Sequence, residues 1–373
     1  MKTIFSFQGR LGLQQRVLPA YRAPFFDMLA QSCEGGMSLF AGLPRPTESI
    51  AYAKDLRFAK YVAAHNIHLL DGSFYFCYQR GLIDWLADWN PDALILEANP
   101  RYLATSSAVK WMRSRGRKVI GWGLGAPPLT PTPLPLGEGL RVRARLNFLG
   151  QFDALIAYSQ RGADEYAALG FPREKIFVAP NAVASKPLSP LPSRPSTFNI
   201  QPAILFIGRL QARKRVNFLL RACAELNQKV RLMIVGDGPE RENLESLAKR
   251  VYPSAEFIGA RHGDELKPYF TEADIFVLPG TGGLAVQEAM SYGLPIIVAK
   301  GDGTQDDLVR ESNGWQIPPE DYAALASTLR TALSDVNRLR KMGKESFRIV
   351  SEEINLEKMV EGFVRTLNSM NVQ

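Results

Sequence analysis

The sequence contains little cysteine and little histidine, with three of each among 373 residues. The cysteines are far apart and odd in number, so they give neither a disulfide framework nor a zinc-ligand spacing. His65 and His68 are close enough to share a helix face, but no acidic or thiol partner stands nearby at a suitable spacing. We therefore expect no metal site and interpret the cysteines as core or surface thiols: Cys33, Cys77 and Cys223.

Long apolar runs are also missing from the sequence. No segment has the uninterrupted apolar length that a transmembrane helix needs. The apolar start, residues 1–7, is too short for a signal peptide and is interpreted as the first strand, which favours a cytoplasmic protein. No G-x-G-x-x-G fingerprint lies near that strand, so a dinucleotide-dependent oxidoreductase is disfavoured.

The net charge of +8 is unevenly placed. Residues 1–185 hold 21 Lys+Arg and 14 Asp+Glu, a balance of +7, whereas the remainder holds 24 against 23, a balance of +1. A basic first half suits an anionic partner, either the headgroup layer of a membrane or a phosphorylated lipid or glycan. No nucleic-acid motif accompanies the charge, so nucleic acid is not expected as a partner. A basic surface that serves only solubility is the alternative.

Short apolar runs alternate with helical patterns through both halves of the chain. This alternation predicts an α/β fold with mostly parallel sheets between helix layers, and the length suffices for two domains. Ligands bind such sheets at the carboxyl ends of the strands. The first of these loops is predicted at residues 8–22, where two glycines and three arginines either receive an anionic acceptor or are simply solvated.

Two proline-rich stretches interrupt the alternation. Residues 123–139 are predicted to be an extended loop, because prolines prevent helix and sheet pairing there. Residues 140–150 then form a basic amphipathic pattern, which indicates either a helix on a membrane surface or a core-packed helix with a solvated arginine face. Residues 185–202 are predicted to link two domains.

The second half places polar and glycine-rich turns after several predicted strands. Gly208-Arg209 follows one strand and Lys214 stands one loop later, where an arginine and a lysine can neutralise a diphosphate. Gly236 begins a tight turn after the next strand, and Arg261 follows a third as a candidate wall for a nucleobase. Each turn alone is also compatible with a purely structural role.

The stretch 275–300 is the fourth such feature. Its strand leads into Gly282-Gly283-Leu284 and then a short helix that carries Glu288. Glycines at this junction allow backbone N–H groups to approach a phosphate, and Glu288 could reach the hydroxyls of a sugar joined to it. An ordinary tight turn with a surface glutamate is the alternative.

Taken together and in this order, these features resemble the pattern of retaining GT-B glycosyltransferases of glycosyltransferase family 4, the glycosyl transferases group 1. The resemblance rests on FIGRLxxxK, IVGDGPExxxLxxL, FIGxxxxxELxxYFxxADIFVLPG, EAMSYGLPIIV and the earlier DALIAYSxxxxxEYxxLGFPREKIFVxPN. It covers about residues 153–314, and before residue 153 it is only architectural.

This resemblance implies a GT-B architecture, in which two Rossmann-like domains with parallel sheets face a central cleft. The expected domains are residues 1–184, completed by the C-terminal helix 355–373, and residues 203–354, joined by the linker 185–202. The first would take the acceptor and the second would bind the nucleotide sugar.

Residue roles carried over from the family follow the matched positions. Arg209 and Lys214 would bind the donor diphosphate and stabilise its charge as it leaves. Glu288 would accept hydrogen bonds from the ribose, and the backbone at Gly283 and Leu284 would meet phosphate or sugar. The same donor pocket would include Gly236, Arg261 and Gly282, while Asn181 corresponds to an asparagine at the domain junction of the family.

The sequence departs from the family at two positions near the donor sugar. The family commonly has a glutamate where this chain has Gly280, and a histidine at the position that corresponds to Leu124. Glu97, at the end of a predicted strand, is a candidate to supply an acidic group from the facing domain, with a structural cap or an acceptor contact as the alternative.

The expected function is transfer of a sugar from a UDP- or GDP-sugar to a hydroxyl acceptor with retention of the anomeric configuration. The acceptor would be a glycan, a lipid-linked molecule or a small glycoside of the cell envelope. No metal or other cofactor is expected, and the protein could be peripheral on the inner face of the plasma membrane. A catalytically silent nucleotide-sugar-binding partner and a GT-B sugar-nucleotide epimerase stay as alternatives.

Overall fold

A computed structural model of the chain describes residues 6–48, 50–126, 138–187, 201–301 and 303–370, and for Ser73, residues 138–141 and Thr304 it describes the backbone alone. Most of the predicted loop 123–139 and of the predicted linker 185–202 lies outside these residues, as do residues 1–5. Internal contacts divide the chain into two compact units. Unit 1 comprises Met1–Val183 and Leu356–Gln373, and unit 2 comprises Ala184–Asn355.

Unit 1 is built around a parallel sheet. The described strands of unit 1 are β1 (Leu11–Val17), β2 (Met37–Gly42), β3 (Lys60–Ala63), β4 (His65–Leu69), β5 (Phe76–Arg80), β6 (Ala93–Glu97), β7 (Lys118–Gly123), β8 (Ala154–Ala157) and β9 (Ile176–Val178), of which all but β4 and β5 belong to this sheet. Its first helices are α1 (Ala23–Gln31), α2 (Leu82–Trp89), α3 (Thr105–Arg113), α4 (Glu138–Leu149) and α5 (Gln160–Ala168). The strand order is β3-β2-β1-β6-β7-β8-β9, and every described pair in this sheet is parallel.

Unit 2 repeats this construction with a second parallel sheet. Its strands are β10 (Ala203–Ile207), β11 (Arg231–Val235), β12 (Glu256–Gly259), β13 (Ile275–Leu278), β14 (Ile296–Ala299) and β15 (Gly314–Ile317), in the order β12-β11-β10-β13-β14-β15. Its helices are α6 (Val216–Ala224), α7 (Arg241–Val251), α8 (Lys267–Glu272), α9 (Ala285–Ser291), α10 (Thr304–Leu308), α11 (Tyr322–Leu333) and α12 (Val336–Glu352). The predicted α/β class with two parallel sheets is confirmed.

The last helix of the chain, α13 (Leu356–Ser369), packs on unit 1. The ring of Phe363 meets the rings of Phe25 and Trp122, with centroids 4.9 Å away in both cases. Gly362 lies so close to the segment after β9 that a β-carbon there would be 2.9 Å from the β-carbon of Ala179. The C-terminal helix therefore covers part of the core of unit 1.

The prediction for the start of the chain is wrong in one respect. Residues 8–22 were expected to form a loop, but β1 runs through them and is buried along nearly its whole length. The pattern misled because Gln14 and Gln15 are polar yet buried. The Gln79 side chain accepts a hydrogen bond from the Gln14 side chain and donates to the main-chain carbonyl oxygen of Gln15 at 3.1 Å, and the Gln15 side chain donates to the main-chain carbonyl oxygen of Gln14 at 3.4 Å. Two hydrogen-bonded glutamines thus interrupt the apolar sequence of a core strand.

An antiparallel hairpin stands apart from the main sheet of unit 1. It pairs β4 with β5, with Ile67 opposite Tyr78 and Leu69 opposite Phe76. His65 and His68 lie in β4, which pairs with β5, and therefore do not share a helix face. No helix among the described residues combines the length and apolarity needed to cross a lipid bilayer.

Candidate functional site

Unit 2 contains a cavity of ≈ 530 Å³ at the carboxyl ends of β10, β11 and β12. Its described lining comes from residues 207–209, 235–238 and 260–262, together with Leu266. These are the turns that directly follow three adjacent parallel strands, which is where open α/β sheets bind their ligands. The volume is that of a small-molecule site.

Two glycine turns at this edge pack backbone against backbone. A β-carbon on Gly236 would lie 2.0 Å from the carbonyl oxygen of Gly208, and the φ angle of Gly236 is +145°. A β-carbon on Gly238 would lie 2.3 Å from the carbonyl oxygen of Leu210. Only glycine satisfies both the dihedral angle and the contact at position 236. The floor of the cavity is therefore main chain.

The structure brings three of the predicted donor residues together around this cavity. Arg209, Gly236 and Arg261 all line it, and both arginine side chains are exposed. The guanidinium of Arg261 donates to the carbonyl oxygen of Ala260 at 2.8 Å. The lining also includes Asp237, whose carboxylate accepts from Arg241 at 3.2 Å. Two arginines thus border a pocket whose floor is backbone, an arrangement that suits an anionic ligand.

Lys214 is placed differently, because its ammonium group is buried. The residue is only 7% exposed, and its Nζ donates to the carbonyl oxygens of Thr281 at 2.7 Å and Gly282 at 3.1 Å. Burial, and then the charge of Arg213, lower the pKa of Lys214 to about 8. Lys214 therefore ties the segment before α6 to the glycine loop after β13.

The main chain packs closely around Gly280, the position where the resemblance led us to expect a glutamate. A β-carbon there would lie 2.1 Å from the carbonyl oxygen of Arg213 and 2.5 Å from the Cα of Lys214. These are main-chain atoms, which cannot move aside as the end of a side chain can. The loop therefore has no space for any side chain at position 280.

The rest of the glycine loop leads into α9. Gly283 is closely packed, since a β-carbon on it would be 2.2 Å from a methyl carbon of Leu278, and Leu284 is exposed at the helix start. Glu288 is half-buried in the next turn, and burial raises the pKa of its carboxyl above the usual range. No described group donates a hydrogen bond to this carboxylate, and Glu288 is not among the described lining of the cavity.

Glu97 lies in unit 1, at the end of β6. Its carboxylate accepts a hydrogen bond from the backbone N–H of Arg16, and its own N–H donates to the side-chain oxygen of Gln14 at 3.2 Å. Burial raises the pKa of Glu97 to about 7 despite the nearby charge of Arg16. Asn181 also lies in unit 1, where its side-chain oxygen accepts from the buried Arg22 at 2.6 Å.

Arg213 was not among the predicted site residues. A β-carbon on Gly282 would lie 3.4 Å from the Nη1 of Arg213 and 3.6 Å from the Nζ of Lys214, so both cations stand over this glycine. The consecutive basic residues 213–215 carried a signal for this cluster.

Among the residues that the structure describes, no group of three or more His, Cys, Asp or Glu side chains could hold a metal ion.

The close packing at Gly280 predicts a loss of stability when any side chain is added. Gly280→Ala should destabilise unit 2 by about 1–3 kcal/mol, because overpacking forces backbone shifts. Its thermal transition, measured by calorimetry, should fall by at least a few degrees. Thr281→Ala at the exposed neighbouring position is the matched control and should change stability by no more than about 0.5 kcal/mol. Equal stability of Gly280→Ala and wild type would contradict the contact.

Comparison with known proteins agrees with this geometry. Residues 201–335 match the family model described as glycosyl transferases group 1. The chain is similar to the sulfoquinovosyl transferase SQD2 of Arabidopsis thaliana, at 33% identity over 39% of this chain and 29% of SQD2. It is also similar to the lipopolysaccharide core biosynthesis glycosyltransferase LpsE of Rhizobium meliloti, at 22% identity over 76% of this chain and 87% of LpsE. Among curated relatives, the aligned parts of SQD2 and of three others span only 29%, 53%, 44% and 32% of their lengths.

The fold extends over nearly the whole chain. The structure is similar to that of Anabaena HepE in complex with UDP, with a TM-score of 0.68, 17% identity, and coverage of 96% of this chain and 99% of HepE. At 17% identity, this similarity shows the fold alone. The match of residues 201–335 to the glycosyl transferases group 1 model, together with the GT-B likeness over nearly the whole chain, confirms the resemblance to a GT-B glycosyltransferase that the motifs indicated.

Proposed function

We propose that this protein transfers a sugar from a nucleoside diphosphate sugar, with UDP or GDP as the nucleotide, to a hydroxyl group of an acceptor. One observation carries the proposal: the cavity bordered by Arg209 and Arg261 lies wholly inside the segment that matches the glycosyl transferases group 1 model. HepE, which shares the fold, has been crystallised with UDP and with UDP-glucose. That supports a nucleotide sugar as the donor.

The reaction breaks the bond between the anomeric carbon and a diphosphate oxygen and forms a bond from that carbon to the acceptor oxygen. The electron pair of the broken bond stays on the diphosphate, so negative charge grows there. Cations already fixed near it stabilise this charge most effectively. We assign that role to Arg209 and Lys214, with Gly236, Arg261, Gly282, Gly283 and Leu284 as further donor contacts and Glu288 at the ribose.

Retention of the anomeric configuration and independence from metal are parts of the proposal. Fixed arginine and lysine charges can stabilise the leaving diphosphate without a metal ion in that role. The acceptor proton would leave to a donor phosphate oxygen or to Glu97. A carboxyl with a pKa of about 7 can hold or release a proton near neutral pH, which supports keeping Glu97 as the proposed acid–base residue.

A second candidate function is a nucleotide-sugar-binding protein without transferase activity. The observation that favours it is the main-chain packing at Gly280, which leaves no space for the sugar-contacting carboxylate of the family. Slow release of sugar from the donor in water, in the absence of acceptor, would separate the two. Such hydrolysis supports the transferase, whereas tight donor binding without hydrolysis or transfer supports the silent partner.

Removal of the cavity arginines should weaken nucleotide binding. Arg209→Ala and Arg261→Ala should each raise the Kd for UDP or GDP by about tenfold or more, because each removes a charge-assisted hydrogen bond. Isothermal titration calorimetry measures the change. Arg250→Ala removes an equal charge from the exposed face of α7 and should leave the Kd unchanged. Unaltered affinity in both cavity variants would remove this assignment.

The pKa of Lys214 predicts a pH dependence of nucleotide binding. A lysine with a pKa of about 8 is charged below that pH and neutral above it, and a diphosphate favours the charged form. Affinity for the nucleoside diphosphate should therefore fall as pH rises through about 8, by up to about tenfold per pH unit. Titrations from about pH 7 to about pH 9.5 test this. Lys214→Met should bind weakly with a flat profile, and a wild-type profile that is equally flat would disprove the role.

We also propose an anionic membrane surface as a partner of unit 1. Toward its turn the outer face of the hairpin is apolar: Leu69 is paired to Phe76, and Leu70 and Phe74 in the turn are 68% and 73% exposed. The alternate residues Cys77 and Gln79 are buried, so the hairpin has one inner and one outer face. Exposed apolar residues together with the basic excess of residues 1–185 suit the interface of an anionic bilayer.

Charged substitution on the outer face should weaken membrane association. Phe74→Glu should reduce binding to vesicles that contain anionic phospholipid by about tenfold or more, because the exposed aromatic ring would no longer bury its apolar surface in the bilayer interface. Flotation at low and high salt measures it, and binding should also fall with salt. Ile83→Glu on α2 is the control, since this exposed apolar side chain lies outside the hairpin. Equal losses in the two variants would argue against the hairpin as the contact.

A further inference from the structure

Unit 1 contains a buried arginine that has no carboxylate partner. Arg22 is the last residue of a short 3-10 helix, Ala20–Arg22, that follows β1, and it is only 5% exposed. Among the residues that the structure describes, its guanidinium hydrogen-bonds to Asn181 and Met359 and forms no ion pair with a carboxylate. Buried charges are normally paired, so a buried arginine without a counter-ion indicates a role beyond packing.

The guanidinium of Arg22 is held in one place from several sides. Its Nη2 donates to the side-chain oxygen of Asn181 at 2.6 Å, and its Nη1 lies 3.6 Å from the sulfur of Met359 in α13. Its central carbon lies 5.3 Å from the ring centroid of Trp122 and 5.4 Å from that of Tyr158. The faces of aromatic rings attract a cation. The positive charge of Arg22 is therefore fixed against β7 and the segments that follow β8 and β9.

This fixed charge lies near the end of β6, where Glu97 is placed. Glu97 and Trp122 are partners in the register of β6 and β7, and paired residues of neighbouring strands project to the same face of a sheet. The guanidinium that covers the ring of Trp122 therefore lies near the Glu97 carboxyl, and its charge acts on that carboxyl. A nearby positive charge favours the ionised form of a carboxyl group.

The other titratable groups near Glu97 are either paired or neutral. Arg16, in β1, donates its backbone N–H to the Glu97 carboxylate, but its guanidinium is paired with Glu48 at 2.9 Å. Three more groups, from β5, the loop after β6 and the segment after β8, also act on this carboxyl: Cys77, Tyr102 and Tyr158. Burial raises the pKa of each of the three, so they are uncharged near neutral pH. Arg22 is thus the cation near Glu97 whose charge no described carboxylate offsets.

We propose that Arg22 is a positioning residue for Glu97: its fixed guanidinium stabilises the ionised carboxylate and so sets the pH at which Glu97 takes up a proton. This electrostatic role concerns unit 1 alone. Its consequence for sugar transfer rests on the proposed function, in which Glu97 is the acid–base residue. Burial raises the pKa of Glu97 to about 7, and the Arg16 N–H and the charges of Arg16 and Arg22 keep it from rising further.

The pKa of Glu97 can be measured directly in the full chain. Nuclear magnetic resonance of ¹³C-labelled glutamate side chains follows the titration, and Glu97→Gln identifies the signal. Arg22→Gln removes the charge but keeps an N–H donor for Asn181, so it should raise the pKa of Glu97 by about one unit, a tenfold change in proton affinity. Arg22→Lys keeps a cation and should raise it by less than about half as much. An unchanged pKa of Glu97 in Arg22→Gln would overturn the proposal.

Arg117→Gln is the matched control. Arg117 donates to the side-chain oxygen of Asn90 at 2.5 Å, much as Arg22 does to Asn181, but it precedes β7 and so lies at the opposite end of the sheet. This variant removes the same charge from unit 1 and should leave the pKa of Glu97 at the wild-type value. A rise equal to that of Arg22→Gln would show an effect of net charge alone and refute a specific role of Arg22.

The wild-type chain provides a test that needs no substitution at a buried position. A fixed, buried cation is screened by salt far less than exposed charges are. Between about 0.05 M and about 0.5 M salt, the pKa of Glu97 should therefore move by less than about 0.3 units. A rise of about one unit would show that the exposed basic residues of unit 1 control Glu97, and the assignment to Arg22 would then be wrong.

The pH dependence of donor hydrolysis separates this inference from the proposed function. With a UDP- or GDP-sugar that the wild type hydrolyses, the pH of half-maximal rate in Arg22→Gln should rise by as much as the pKa of Glu97. If that pKa moves and the rate profile does not, the acid–base role of Glu97 fails and the role of Arg22 stands. If the chain binds and hydrolyses the donor but the pKa of Glu97 does not respond to Arg22→Gln, the reverse holds. A chain that hydrolyses no nucleotide sugar counts against the proposed function, and the pKa of Glu97 still decides the role of Arg22.

Discussion

The hydrogen bonds from the Lys214 ammonium to the carbonyl oxygens of Thr281 and Gly282 hold the candidate donor site together. They join two loops that are about seventy residues apart in sequence and that follow adjacent strands, β10 and β13. The join requires the main chains to touch, which explains glycine at position 280. Burial also lowers the pKa of Lys214 to about 8, so this ammonium group loses its proton only slightly above neutral pH.

This constraint has a consequence for the chemistry. The same packing that lets Lys214 and Arg213 stand over Gly282 removes the space in which a sugar-contacting carboxylate would sit. The proposed donor site therefore has cations and main-chain groups that suit a diphosphate, and it has no side chain at position 280 to contact the proposed sugar. Glu97, whose pKa is raised to about 7, is an acidic group in unit 1, and its contribution to the reaction is a proposal.

Several parts of the structure could be predicted from the sequence because they depend on local pattern. Strand β13 could be predicted from a short apolar run, and the loop after it from the proline and glycines that favour a turn. Strand β1 could not be found in this way, because Gln14 and Gln15 are polar residues in a buried strand, and the side chain that bonds to the Gln14 side chain is that of Gln79, far along the chain. Arg213 was overlooked for a similar reason, since its proximity to Gly282 exists only after β10 and β13 are paired.

The sequence by itself determined the α/β class, the second parallel sheet and the order of the turns that carry Arg209, Gly236 and Arg261. Strand periodicity and glycine turns depend on residues that are close together in the sequence. Only the tertiary structure decided which of those residues share a cavity and that Lys214 is buried. Burial and pairing depend on residues distant in the chain. The physical state of a charged or polar side chain therefore follows from the fold and not from its neighbours in sequence.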